Sequence, residues 1–294
     1  MGADFELFWQ VGQAILNGID PYSVGNSFYP PPSAFAFVLL ALLPGPVAYP
    51  AWSVLNILLM ADVLRRRGLS VAWFLFTPVL FVLMTGQLDI FFFWIAVQIH
   101  PSRWTSIPLA LVLTLKPQVA AMVLPALLIE WFREKKVYLG IWAGLLVVLY
   151  TLPLLFDNQI YQNWYGAVAG YSGERVRMSG GIFTLTALGV PEWVLWGSAI
   201  ALGLWGVFQP QGASRAAILA ALPVGMWYEN VFFVGTGPAW VLIVWSWVAF
   251  AMAALLSSAI PLATLALVAL ALNLQNRSTR ERVLIFVNAR GCGR

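Results

Sequence analysis

Cysteine and histidine each occur once in the 294 residues. Cys292 has no second thiol to pair with, so an internal disulfide is excluded. His100 stands alone, which argues against histidine-built metal sites and Ser-His-Asp triads. Charge is scarce as well: only 10% of residues are Asp, Glu, Lys or Arg, against about a quarter in soluble globular chains. The net charge of +4 is modest, and its basic residues fall in clusters between apolar runs. That pattern suits loops beside a membrane and gives no basic stripe for nucleic acid. The start, MGADFEL, lacks a basic region followed by an apolar core and does not read as a signal peptide. Glu6 also breaks the myristoylation pattern after Met1-Gly2.

What remains is oily. Hydrophobic residues make up 61% of the chain and the mean hydropathy is +0.82. Apolar runs recur along most of its length, so a single anchor on a soluble domain does not fit. The expectation is an all-α, polytopic integral membrane protein whose spans include short and broken helices. Three regions follow: 1–32, an extracytoplasmic loop with an interfacial helix; 33–274, a transmembrane helical domain; and 275–294, a basic, disordered tail. Within the first, residues 5–18 (FELFWQVGQAILNG) predict an amphipathic helix closed by Asn17-Gly18. The prolines of DPY (20–22) and FYPPP (28–32) then stiffen an extended connector. Apolar segments are expected at 70–85, 88–99, 214–228 and 230–254, among others. The basic runs RRR (65–67) and REKK (133–136) are assigned to one side of the membrane. The chain between them then forms two hairpins, with TGQLD (85–89) and LKPQ (115–118) at tips on the opposite, extracytoplasmic side.

Four polar elements stand out against their surroundings: Asp4; Gln87 with Asp89; Lys116 with Gln118; and Tyr228-Glu229. A lysine near the centre of a membrane helix costs about 2.5–3.5 kcal/mol, so Lys116 calls for an anionic partner. Each element has two readings. Asp4 is either a helix cap or a base; Asp89 either neutralises Lys116 or lines a cavity. Gln87 either bridges two helices or binds a ligand, and Glu229 either snorkels to an interface or lies in the same cavity. Arg175 and Arg177, in a polar loop, face either lipid headgroups or an anionic substrate. Most tryptophans and tyrosines read as interface anchors.

The order of motifs narrows the choice. ADF around Asp4, NGIDPY (17–22), FYPP from Phe28, LLP (42–44), TGQLD and LTLKPQ together resemble glycosyltransferase family 87. These are the polyprenyl-phosphate-mannose-dependent α-mannosyltransferases of the GT-C class. The similarity covers roughly residues 2–136 and, more weakly, 220–235, where LPVGMWYEN aligns with the family's Trp-containing motif. The resemblance implies a GT-C-like bundle in the cell membrane with an extracytoplasmic active site. The implied reaction moves a hexose, mannose being the first choice, from a polyprenyl phosphate to a glycolipid or cell-envelope glycan. It implies Asp4 as catalytic base. Lys116 becomes a donor-phosphate contact, with Arg175 and Arg177 as further candidates. Gln87, Asp89, Gln118, Tyr228 and Glu229 would line the substrate cavity. Inverting transfer of this kind needs neither metal nor cofactor. Two departures are visible: the family has a helix before the acid-bearing loop, and often a histidine where Tyr228-Glu229 stands. The alternatives are therefore a transporter or flippase of lipid-linked sugars, and an inactive, truncated relative.

Overall fold

The computed structural model describes residues 2–25, 27–170, 181–209, 211–222 and 226–291; the side chains of 170, 211, 212 and 276–291 lie outside the description. All regular structure among the described residues is helical.

The first helix, α1 (Ala3–Leu16), carries Phe5, Phe8, Val11 and Ile15 at helical spacing. Asn17 caps it and Gly18 leaves in the left-handed region, so the expected stop is where the sequence puts it. Its apolar face does not lie on a lipid surface, however. Phe5, Phe8 and Val11 are buried in the main core, with Phe8 stacked on Phe37 at 4.7 Å between ring centroids. This corrects the interfacial placement. An apolar stripe shows that a helix buries one face and does not say whether lipid or protein covers it.

The Pro30–Pro32 run leads into two short helices, α2 (Pro31–Ala36) and α3 (Val38–Ala41), which α1 packs against. Proline at the first helical position gives up only an N–H that has no helical partner. Next come α4 (Gly45–Arg67), α5 (Thr77–Thr85), α6 (Asp89–Gln98), α7 (Ser106–Leu113), α8 (Pro117–Glu134) and α9 (Lys136–Thr151). After α10 (Ile160–Gly170) the chain continues through α11 (Glu192–Val207), α12 (Gln211–Ala221), α13 (Ala239–Leu256) and α14 (Ile260–Gly291).

Among the described residues, three segments are long and apolar enough to cross a membrane: α4, α9 extended by a turn to Leu155, and α13. A fourth arises if α5 and α6, bent by 119° at their junction, count as one broken span. Only 6% of the α9 segment is buried against protein, and large side chains such as Val147 and Leu155 stand exposed. In water such a surface would be a liability; in lipid it is the expected exterior. The architecture is that of a helical membrane protein.

Three sequence expectations need correction. The segment at 70–85 is not one helix: a 3-10 turn at Val71–Leu75 precedes α5, because Pro78 favours a fresh helix start at Thr77. The segment at 230–254 becomes helical only from Ala239, and Trp227–Phe233 forms a buried 3-10 turn. A buried turn rich in Val and Phe has the hydropathy of a span. The tail read as disordered continues α14 to Gly291, in keeping with a stretch free of proline.

Candidate functional site

The charged and polar residues picked out in the sequence converge because each sits where a helix begins. Asp89 opens α6, Lys116 immediately precedes Pro117 of α8, and Glu229 lies in the first turn of Trp227–Phe233. Asp4 is in the first turn of α1. Helix starts present free N–H groups and a partial positive charge, which favours carboxylates there.

The break between α5 and α6 makes the meeting possible. Gly86 ends α5 with φ +77°, and a β-carbon there would fall 2.5 Å from the Phe5 β-carbon. Only glycine fits both the backbone and the space. Trp52 of α4 donates its indole N–H to the Gly86 carbonyl at 3.0 Å, which pins the turn from the other side. The chain thereby returns at once into α6 and carries Asp89 inward.

There Lys116 Nζ donates to both carboxylate oxygens of Asp89, at 2.7 and 2.8 Å. Glu229 Oε1 is 3.4 Å from the same ammonium, an ion pair that makes no hydrogen bond. Both carboxylates are wholly buried and Lys116 nearly so. The ammonium also lies 4.7 Å from the centre of the Tyr228 ring, a cation–π contact. The tips of the two hairpins, TGQLD and LKPQ, thus touch through this pair. Glu229 is held in turn by the Met226 N–H, which donates to its Oε2 at 3.0 Å. That bond and the burial replace the snorkelling reading.

The electrostatics are uneven. Burial works against the ammonium of Lys116, but Asp89, Tyr29 and Glu229 together outweigh it and hold the group firmly protonated. Glu229 is pushed up, to about 7, by burial, with Lys116 pulling the other way. One cation therefore faces two carboxylates, and the second holds its charge less easily.

Around this centre, Gln87 is buried; its Oε1 accepts from the Tyr29 hydroxyl at 3.3 Å and the Leu88 N–H at 3.4 Å. Tyr29 belongs to the FYPPP connector and is wedged edge-on against Phe8 and Phe37. Asp4 is partly exposed, makes no capping bond, and its charge is felt at Tyr29 and Tyr228. It is the most exposed of the three acids, since Asp89 and Glu229 are wholly buried. Gln118 sits half-buried in the first turn of α8. Arg175 and Arg177 lie outside the described residues.

No family model matches the chain, and neither a curated protein nor a solved structure matches it. The site has to be read from its own chemistry. Lys116 is paired with Asp89 and faces Glu229, so a phosphate bound there would share the ammonium with protein carboxylates. Among the described residues no three His, Cys, Asp or Glu side chains form a metal-holding group. Two residues escaped the sequence reading. Tyr29 was visible only as part of a stiff connector, although an aromatic directly before a proline run has a restricted backbone. Arg215 is a buried cation on α12 that hides at the edge of an apolar run.

Proposed function

We propose that this protein is a multi-span membrane glycosyltransferase of the GT-C type. It transfers a hexose from a polyprenyl phosphate to a glycolipid or envelope-glycan hydroxyl on the extracytoplasmic side. The observation that carries the reading is Asp4. It is a partly exposed carboxylate with no capping bond, beside a buried polar cluster built from three separate helix starts.

In the proposed reaction the acceptor hydroxyl attacks the anomeric carbon as its proton passes to the Asp4 carboxylate. The bond from that carbon to the phosphate oxygen breaks, and the polyprenyl phosphate leaves as an anion needing no proton. Lys116, locked to Asp89, acts as a positioning residue that joins the two hairpin tips and keeps Tyr228 and Glu229 in place. Tyr29, Gln87 and Gln118 offer hydroxyl and amide groups for sugar recognition. The apolar exterior accommodates the prenyl chain.

One feature favours a second reading, a transporter of lipid-linked sugars: the sharp break between α5 and α6 is the kind of discontinuity transporters use around a central site. A single comparison separates the two. Purified protein in nanodiscs receives polyprenyl-phosphate mannose and a panel of glycolipid acceptors, as wild type and as Asp4→Asn. The glycosyltransferase reading expects transfer by wild type, a fall of at least about 100-fold in the variant, and unchanged donor binding. Equal transfer by both removes Asp4 from the chemistry. Donor binding without transfer, together with donor movement across sealed vesicles, replaces the enzyme with the transporter.

A further inference from the structure

A second cationic site lies apart from the Lys116 cluster, at the C-terminal end of α4. Its centre is Arg215, which is 2% exposed. The guanidinium Nε and Nη2 of Arg215 have no hydrogen-bond partner, and the residue forms no ion pair among the described residues. A guanidinium remains charged in almost any surroundings, so its burial without an acid is an open electrostatic demand.

A neighbouring cation sharpens the demand. Arg67 lies 5.7 Å from the centre of the Phe93 ring, and Arg215 lies 5.9 Å from that of Phe232. Phe93 and Phe232 are themselves packed edge to face at 5.4 Å. The two guanidiniums therefore flank one aromatic pair. At Arg215, burial and then the charge of Arg67 both act against the charged form. The nearby acid does not relieve them: Asp62 is occupied by Arg65 at 2.9 Å, by Arg66, and by the Trp94 indole at 3.0 Å. Of the Arg65-Arg66-Arg67 run, then, only the last turns inward without a carboxylate.

The position of this pair suggests what completes it. Arg67 is the last residue of a helix long and apolar enough to cross a membrane, which is the depth at which lipid headgroups lie. Arg215 has unused N–H groups and the charge of Arg67 reaches it across the aromatic pair; a guanidinium so placed matches the oxygens of a phosphate. We propose that Arg67 and Arg215 form an anion site that takes a phosphate group, distinct from the Lys116 cluster. The group is either the headgroup of an anionic phospholipid or a free phosphate. This inference does not depend on the glycosyltransferase reading, because neither arginine belongs to that cluster.

The test compares wild type with Arg215→Met and Arg67→Gln in phosphatidylcholine nanodiscs. Arg65→Gln, at an exposed residue already paired with Asp62, serves as control. Thermal unfolding is followed without additive, with phosphatidylglycerol in the bilayer, and with inorganic phosphate in the buffer. Wild type and control gain stability from one of the two. A response to phosphatidylglycerol alone assigns a lipid headgroup; a response to inorganic phosphate assigns a free anion. In both arginine variants the half-maximal concentration rises by about 10- to 100-fold, as expected for losing a charge-assisted bond. Without an anion, Arg215→Met unfolds at or above the wild-type temperature, since the change removes an unpaired buried charge of similar length. No response by wild type, or an equal response by Arg67→Gln, overturns the site. A lower unfolding temperature for Arg215→Met in anion-free lipid also overturns it. If that variant does not fold, Arg67→Gln carries the comparison, because Arg67 is partly exposed.

Discussion

Lys116 is held by opposite charge, and that makes its neighbours fragile. A buried ion pair contributes little net stability relative to a well-packed apolar pair, yet removing one member leaves the other charged, dry and uncompensated. Asp89→Asn leaves the ammonium with Glu229 alone, and Lys116→Met leaves Asp89 and Glu229 without their shared cation. Each single change is expected to destabilise by about 3–5 kcal/mol. The double variant Asp89→Asn/Lys116→Met removes the pair together and is expected to lose less than either single. Unfolding of all four proteins in one detergent measures this. Losses that simply add would mean that the two side chains do not share a bond. At this scale the sequence was informative about which residues matter and less so about what they do. One lysine in LTLKPQ and one aspartate in TGQLD were conspicuous. That they neutralise each other depends on two hairpin tips meeting, which neither segment states by itself.

Helix starts are the recurring device at the scale of elements. Gly86 is the most constrained of the backbone positions that set them, since its φ of +77° and its contact with Phe5 both exclude a side chain. Gly86→Ala should cost about 1–2 kcal/mol for the left-handed backbone and about 1–3 kcal/mol more for overpacking against α1. The loss should appear as a lowered unfolding temperature and as greater protease access around residues 85–89. A variant as stable as wild type would show that the α5–α6 break is not built on this glycine. The limits of several helices were readable here: Gly68 after the basic run, Asn17-Gly18 after α1, and Pro117 at the head of α8 are ordinary stop and start signals. What could not be read was the covering of each apolar face. Phe5 and Phe8 face protein, whereas the equally oily Val147 does not. The 3-10 turn bearing Glu229 merged into the hydropathy of α13 for the same reason.

For the whole molecule, the question is whether the exposed apolar surface is a lipid surface. The α9 segment answers it most directly, because from Lys136 to Leu155 it packs one side on α7 and α8 and leaves most of its large apolar side chains exposed. Twenty residues at the helical rise match the roughly 30 Å hydrocarbon core. Its middle therefore lies deepest, and its N-terminal end lies near headgroups. Val147 and Val137 are both well exposed on this helix, at 63% and 71%, so arginine at either place disturbs little protein packing. In water the two substitutions would be about equally harmless. In a bilayer they differ: arginine at 147 pays an insertion penalty of about 2.5–3.5 kcal/mol, while at 137 the side chain snorkels to the interface and loses far less. The measurement is the fraction of each variant that fractionates as folded, membrane-integrated protein. A marked loss for Val147→Arg beside near-normal recovery of Val137→Arg is the expected result. Equal recovery of both would take α9 out of the membrane, and the multi-span enzyme reading with it.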